Sequence, residues 1–189
     1  ARPDAALFFS ANDKNDPRLG EFVHSDERHY AAADLVILGF PQDEGVRRRD
    51  GRVGAAEAPD KIREQFYRLT TSNIRKKIFD LGNTKTDGSL EDTHANHTAV
   101  VAQLLRDGKR VIVLGGGGDV SYPDGVAMAE VFGPEWWIGI NIDSHLDVRL
   151  APERNSGTAF RQLIEEKHLL PTYFYEAGYQ SHLTSPIYY

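Results

Sequence analysis

The sequence has 189 residues, of which 40% are hydrophobic and 26% are charged, and its formal net charge is −6 at pH 7. This length suits one domain with a substantial core, and the negative charge argues against non-specific nucleic-acid binding. The absence of cysteine excludes disulfides, thiolate zinc sites and cysteine nucleophiles. No apolar stretch approaches membrane-spanning length, and the first residues lack the order of a signal peptide, so a cytoplasmic protein without a membrane partner is expected.

The first third of the chain predicts an irregular segment, a strand and a charged loop. Residues 1–30 carry scattered charges and few apolar residues, so an irregular segment is expected ahead of an α/β domain at residues 31–189. Residues 34–40 form an apolar run too short for a helix, which predicts a strand buried on both faces. Residues 41–59 are rich in glycine, proline and charge and are predicted to be loop. The three arginines at 47–49 either grip an anionic group or form a solvated loop face, and the solvated face is favoured.

Two helices and a short strand are predicted next. A helix is expected from Pro59, because proline is tolerated in a first helical turn, and residues 77–81 predict the strand. Ser89 with Asp92 three residues later forms a capping pattern, which begins the clearest helix of the chain. Gly108 is placed to end that helix in a left-handed conformation.

Two histidines lie on this helix. His94 and His97 share one side of it at a spacing of three residues, so a metal-binding pair is conceivable. His97 precedes the apolar Val101 by about one turn, which favours a packing or hydrogen-bonding role for that histidine.

The second half of the chain alternates strand and helix patterns. Strands are predicted at residues 110–114, 136–142 and 172–177, and helices at residues 126–132 and from Ser156 onward. Strands that alternate with helices of this length indicate crossover units on a mostly parallel sheet, which is an α/β fold.

The segment after the strand at residues 136–142 contains three potential metal ligands at every second residue, Asp143, His145 and Asp147. In extended backbone, side chains at this spacing point to the same side. Mixed oxygen and nitrogen donors suit Mn²⁺, Fe²⁺ or Zn²⁺ better than Ca²⁺ or Mg²⁺. The alternative is a polar turn after a buried strand, with solvated acids and an incidental histidine.

A glycine-rich loop follows the preceding strand, at residues 115–122. Ligands of open parallel sheets bind beyond the carboxyl ends of the strands, so this loop and residues 143–149 are expected to meet there. The loop lacks the lysine and hydroxyl of a phosphate-binding P-loop, and Val120 occupies the third-glycine position of a dinucleotide motif. Close approach of the backbone to a crowded site is the simpler reason for the glycines.

Five stretches together resemble the ureohydrolase superfamily, and within it most strongly the formimidoylglutamases: GFPQDEGVRRRDGRVGAAEAPDKIR, VLGGGGDVSY, IDSHLDVR, NSGTAFRQLIEE and FYEAGYQSHLTSP. The resemblance runs from about Asp34 to the last residue. It implies an arginase-like three-layer α/β sandwich with a mostly parallel sheet. Members of the superfamily hydrolyse the carbon–nitrogen bond of guanidino or formimino groups with Mn²⁺.

The resemblance also implies roles for particular residues. In the family's D-x-H-x-D motif, Asp143 matches the aspartate that bridges two Mn²⁺ ions, while His145 and Asp147 each match a ligand of one ion. A hydroxide held by the metals attacks the amidine carbon, so Asp143 and His145 are the expected catalytic residues. The resemblance also implies five residues that bind the substrate: Arg149, Asn155, Ser156, Gly157 and Thr158. The alternative for the last four is a helix cap that Ser156 provides.

The sequence departs from the family pattern at two places. Gly118 occupies the position of a histidine ligand, and no later D-x-D-x-x-D motif occurs before Tyr189. The chain is therefore expected to be the front part of a longer fold and to hold one Mn²⁺ or none, where the intact family site holds two. Phe160 replaces a histidine that arginases place nearby, which favours a formimidoylglutamase over an arginase.

The function implied is manganese-dependent hydrolysis of N-formimidoyl-L-glutamate to glutamate and formamide, a step of histidine degradation. The expected partner is this small amino-acid-derived substrate, no nucleic-acid partner is expected, and a homo-oligomer is compatible with the family. One alternative is a non-catalytic arginase-fold protein whose metal site is impaired at Gly118. Another is an agmatinase-like ureohydrolase. Activity of the 189-residue chain by itself is not expected, because three of the six family ligands are absent.

Overall fold

The computed structural model describes residues 1–71, 74–183 and 187, and these residues form two parallel sheets with helices packed against them. Part of the FYEAGYQSHLTSP motif, residues 184–186, lies outside the described residues. The first sheet has three strands in the order β2-β1-β3, and the second pairs β4 with β5. The predicted α/β class with a parallel sheet is confirmed. The strands are β1 (Leu35–Gly39), β2 (Ile78–Asn83), β3 (Arg110–Leu114), β4 (Gly139–Ile142) and β5 (Phe174–Ala177).

Five α-helices connect the strands: α1 (Glu44–Arg47), α2 (Ala58–Phe66), α3 (Leu90–Arg106), α4 (Ser121–Phe132) and α5 (Ala159–Glu165). Short 3-10 turns lie at Ala5–Leu7, Leu19–Glu21, Glu27–His29, Ala55–Glu57, Gly118–Val120 and Pro171–Tyr173. Among the helices of the described residues, none has the length and apolar character that a bilayer-spanning segment needs.

The capping pattern before α3 is confirmed. The backbone N–H of Asp92 donates to Ser89 Oγ at 3.1 Å, and the N–H of Ser89 donates to Asp92 Oδ2 at 3.0 Å. Gly108 has φ 71°, the left-handed conformation that a glycine adopts without a steric penalty. Local sequence therefore determines where this helix begins and ends.

Alternation along β1 explains how the layers pack. Val36 and Leu38 contact a cluster formed by α3 and α4, whereas Ile37, between them, contacts a cluster formed by α2 and the N-terminal segment. All three side chains are buried, so the prediction of a strand covered on both faces is confirmed. Helices therefore lie on both sides of the three-stranded sheet.

The N-terminal segment, predicted to be irregular, consists of short 3-10 turns and packs tightly on the domain. Leu19 and Val23 are buried in the same cluster as Ile37. The N–H of Leu19 donates to Leu69 O at 2.9 Å, and that of His24 donates to Ile78 O at 3.1 Å. Its few apolar residues therefore belong to the hydrophobic core, because they pack against one face of the first sheet.

The loop predicted at residues 41–59 contains the single-turn helix α1, and this part of the prediction was wrong. Arg47 and Arg48 pair with Glu44 one turn earlier, which supports the turn despite the surrounding glycines. The boundaries of other elements also moved: α2 ends at Phe66, α5 begins at Ala159, and β4 is shorter than predicted. Element ends are set by tertiary contacts that composition does not report.

The apolar run before the acidic segment is exposed on one side, so the buried strand of the polar-turn alternative is wrong. Ile138, Ile140 and Ile142 expose 55%, 60% and 82% of their surface, and Tyr175, opposite Ile140 on β5, exposes 54%. These four residues, called the β4 face below, form an apolar surface on one side of the two-stranded sheet. Within the described residues, no helix covers this side.

Candidate metal centre

The acidic segment lies directly beyond the carboxyl end of β4, as predicted. Asp143 follows Ile142, and its backbone N–H donates to Ala177 O at 3.0 Å, which extends the pairing with β5 by one residue. Asn141 fixes the next turn, because its side-chain amide donates to His145 O at 2.9 Å. The segment therefore begins from a rigid strand end.

The segment is bent, whereas the prediction assumed extended backbone. Asp143 Oδ1 accepts the backbone N–H of His145 at 2.8 Å and lies 3.2 Å from His145 Nδ1. This side-chain turn folds the chain immediately after the strand. Asp147 then adopts φ 49°, a left-handed conformation. As a result, Asp143 and His145 contact each other, and within the described residues no three acidic or histidine side chains stand close enough to hold a metal ion.

The two carboxylates of the segment differ in environment. Burial raises the pKa of Asp147 to about 6, the Asp143 carboxylate adds to the rise, and Arg49 and His145 oppose it. Partial burial also acts to raise the pKa of Asp143, but hydrogen bonds from the His145 backbone and ring lower it overall. A divalent cation between these groups would relieve their repulsion, and their donor types fit Mn²⁺.

The glycine loop meets the acidic segment, which confirms their predicted proximity. A Cβ atom placed on Gly118 would lie 3.6 Å from Asp147 Oδ2 and 3.2 Å from Ser156 O. One placed on Gly116 would lie 2.0 Å from Gln42 O, so a side chain there is excluded by backbone. Close backbone approach is therefore the reason for this glycine.

The structure adds a buried pair that the sequence interpretation did not identify. His94 Nε2 lies 2.9 Å from Asp119 Oδ2, and both side chains are almost completely buried. His97 instead lies between Thr84 and Asp124, with its ring nitrogens at 2.6 Å and 2.9 Å from their oxygens. The two histidines thus meet different partners. The hydrogen-bonding role favoured for His97 is confirmed.

The segment predicted to hold the amino-acid end of a substrate forms a compact turn. Asn155 Oδ1 accepts the N–H of Gly157 at 2.9 Å, and Thr158 Oγ1 donates to Asn155 O at 3.1 Å. Gly157 O accepts the N–H of Arg149 at 2.9 Å, so this turn lies against the acidic segment. The N–H of Ser156 donates to Gly45 O at 3.0 Å, which ties the turn to α1.

The helix-cap alternative for Ser156 is wrong. Thr158, and not Ser156, occupies the N-cap position of α5, and the Thr158 side chain makes no capping hydrogen bond. Phe160, expected near the site because arginases place a histidine there, is buried and packs against Phe174 with ring centroids 4.6 Å apart. It serves the core between α5 and β5.

Arg49 is a further residue that the structure places beside the segment. A Cβ atom on Gly157 would lie 3.3 Å from Arg49 Nη1 and 3.1 Å from Arg149 Cδ. The solvated face favoured for the three arginines is therefore wrong for Arg49, and it is also wrong for Arg48, whose side chain is only 16% exposed. The three consecutive arginines were the feature of the sequence that could have indicated this contact, but they do not show which arginine lies beside Gly157.

Comparisons with known proteins agree with this architecture. The chain is 38% identical over 161 residues to a formimidoylglutamase of Klebsiella pneumoniae, covering 83% of this chain and 51% of the relative. It is 39% identical over 142 residues to one of Staphylococcus aureus, covering 74% and 45%. The chain spans about half the length of the curated relatives it matches.

Solved structures show the same fold. A Trypanosoma cruzi formiminoglutamase crystallised with Mn²⁺ superposes with a TM-score of 0.84 at 36% identity, covering 92% of this chain and 61% of that one. A formimidoylglutamase from Bacillus subtilis has the same TM-score at 21% identity, which shows the fold alone. The family model described as "Arginase family" matches residues 33–188, so the chain belongs to the arginase family.

Proposed function

We propose that this chain carries the metal-binding and substrate-binding segments of a manganese-dependent formimidoylglutamase. The reaction is the hydrolysis of N-formimidoyl-L-glutamate. The oxygen of water adds to the formimino carbon, the bond from that carbon to the glutamate nitrogen breaks, and that nitrogen takes up a proton. Glutamate and formamide are released, a step of histidine degradation.

One observation carries the proposal: the bent acidic segment, the glycine loop and the turn at residues 155–158 converge at the carboxyl edge of the sheets. Asp147 lies at the centre of this convergence, beside Gly118. This edge is where open α/β sheets bind ligands. The relatives named as formimidoylglutamases support the choice of reaction.

Asp143, His145 and Asp147 are the donors that would hold the metal, and the bent segment would have to bring their three side chains closer together than they stand in the described residues. When bound, Mn²⁺ supplies an acidified water as nucleophile, so the protein needs no nucleophilic side chain of its own. His145 must present a neutral ring nitrogen to act as a ligand. Its present contact with Asp143 holds the imidazole beside the carboxylate with which it would share the ion.

The chain's remaining residues at the site position the substrate. Arg149 offers a planar guanidinium for a glutamate carboxylate, and the turn at residues 155–158 presents backbone groups beside it. Asp147 is partly buried, which strengthens its interaction with a cation.

The 189-residue chain is proposed to bind one Mn²⁺ weakly or none. Gly118 supplies no imidazole, and the acidic segment offers only the carboxylates of Asp143 and Asp147, so the repulsion between two ions would be poorly compensated. Metal analysis after gel filtration tests this statement. Two equivalents of Mn²⁺ per chain would contradict it.

An assay of the full-length gene product with Mn²⁺ tests the function. Release of formamide and glutamate from N-formimidoyl-L-glutamate is expected, and an Asp143→Asn variant should lose that activity. Urea released from agmatine would show an agmatinase instead. A folded, inert protein would show the non-catalytic alternative, which the missing imidazole at Gly118 favours.

A further inference from the structure

The three consecutive arginines differ in how their charges are satisfied. Arg47 pairs with Glu44 at the surface, and Arg48 lies 2.6 Å from Glu91 and 3.3 Å from Glu44. Arg49 makes no side-chain hydrogen bond or ion pair within the described residues. Arg49 is half-buried as a residue, so water alone does not surround it in place of such a partner.

The backbone holds Arg49 on a tight turn at the end of α1. Its N–H donates to Val46 O at 3.2 Å, the N–H of Gly51 donates to the same carbonyl at 2.9 Å, and Asp50 between them has φ 55°. Contacts on either side tie this turn to residues 154–156: Ser156 N–H to Gly45 O at 3.0 Å, and Arg48 Nη1 to Arg154 O at 3.2 Å. The direction of Arg49 is therefore set by the fold.

Arg49 and Arg149 lie against the same residue. A Cβ atom on Gly157 would stand 3.3 Å from Arg49 Nη1, 3.4 Å from Arg49 Cζ and 3.1 Å from Arg149 Cδ. Glycine thus leaves room for both arginine side chains beside the turn predicted to bind substrate. The positive charge of Arg49 also lowers the pKa of Asp147, against the rise that burial causes.

We propose that Arg49 is a second substrate-binding arginine, which with Arg149 binds the two carboxylates of a glutamate-derived substrate. The inference rests on the proposed function and adds a specificity determinant to it. A guanidinium binds a carboxylate through two parallel hydrogen bonds, which an ammonium cannot reproduce. Two guanidinium groups at one end of the site favour a substrate with two carboxylates and repel a cationic one such as agmatine.

Binding of L-glutamate and L-glutamine to the Mn²⁺-loaded full-length protein, measured by calorimetry, tests the role of Arg49. Arg49→Met should weaken glutamate binding about ten-fold or more, the effect of one lost charge-assisted interaction, and Arg49→Lys should recover part of it. If Arg49 binds the side-chain carboxylate, Arg49→Met should bind glutamine as tightly as the parent does. If Arg49 binds the α-carboxylate, the variant should lose as much affinity for glutamine as for glutamate. Arg47→Met, which removes an exposed neighbouring charge, should change neither affinity.

Two further measurements distinguish the loss of a substrate contact at Arg49 from a general disturbance of the site. Arg49→Met should bind Mn²⁺ at least as tightly as the parent, because a cation beside Asp147 has been removed. Unchanged glutamate affinity in a folded Arg49→Met protein, or a matching loss of Mn²⁺ affinity, would overturn the inference. If the parent hydrolyses formimidoylglutamate and Arg49→Met keeps its KM, only this inference fails. A parent that binds glutamate through Arg49 but is inert refutes the proposed function alone.

Discussion

Gly118 lies opposite the carboxylate of Asp147, because a Cβ atom placed on the glycine would be 3.6 Å from Asp147 Oδ2. A side chain at position 118 would therefore extend beside one proposed metal ligand. The nearest backbone atom, Ser156 O, would be 3.2 Å from that Cβ, so a small displacement of the turn makes room. The position is close enough to complete a metal site.

Replacing Gly118 with histidine should raise Mn²⁺ affinity in the full-length protein. A neutral imidazole adds a donor to a set that is short of one. The gain should fade as pH falls below about 6.5, because a protonated imidazole cannot bind metal. Calorimetric titration at pH 8 and pH 5.5 measures both effects. Gly118→Ala is the steric control, and equal Mn²⁺ binding by both variants at pH 8 would show that the position is not a ligand site.

Asp147→Asn should stabilise the metal-free protein at neutral pH. The folded-state pKa of Asp147 is raised to about 6 from 3.8, so the folded protein loses stability as pH rises through this interval. The gain should be roughly 3 kcal/mol at pH 7 and vanish below about pH 4, since the carboxyl is then neutral in both states. Asparagine also tolerates the left-handed backbone found there.

Urea unfolding at pH 4 and pH 7 measures this difference. The variant should show a flatter dependence of unfolding free energy on pH than the parent. Adding Mn²⁺ should stabilise the parent more than the variant at pH 7, because the amide is a weaker ligand. A parallel shift at both pH values would show that the effect is not due to ionisation.

Arg63→Met should destabilise the fold by about 3–5 kcal/mol. Arg63 and Asp80 are fully buried, and the guanidinium donates from Nε and Nη2 to both carboxylate oxygens at 2.8 Å and 2.9 Å. Removing the arginine leaves a buried carboxylate without its cation. Lys61→Met, on the same helix, breaks an exposed pair with Glu64 and should change the free energy of unfolding far less. Denaturant midpoints compare the two, and equal costs would refute the argument from burial.

Ile142→Lys should reduce self-association of the 189-residue chain. Ile142 is 82% exposed on the β4 face, beside other exposed apolar side chains, and β4 pairs only with β5 among the described residues. A lysine on such a surface opposes edge-to-edge and face-to-face contact. Light scattering across a concentration series gives the result. Ile62→Lys, at an exposed position of α2, should have little effect, and equal effects would indicate a general consequence of charge.

Local sequence determined the elements whose signals lie within a few residues of one another. The Ser89 and Asp92 cap, the left-handed Gly108 and the apolar run of β1 were all read correctly, because capping bonds and side-chain alternation depend on short spacings. The position of the acidic segment beyond a strand end followed from the same alternation. The family could also be identified from the order of short motifs.

Which residues of different helices, strands and loops come into contact was decided only by the tertiary structure. The bend at Asp143 comes from a local hydrogen bond with the N–H of His145, but the approach of Gly118 to Asp147 joins residues from two different strand ends. Arg49 shows the difference most clearly. Its sequence neighbours are chemically identical, and only the packing of α1 against residues 154–156 turns one guanidinium towards Gly157 and leaves the other two with glutamates. The spacing of residues along the chain sets the direction in which side chains point within one helix or strand. Contact between residues that are distant in sequence depends on how the helices and strands pack together.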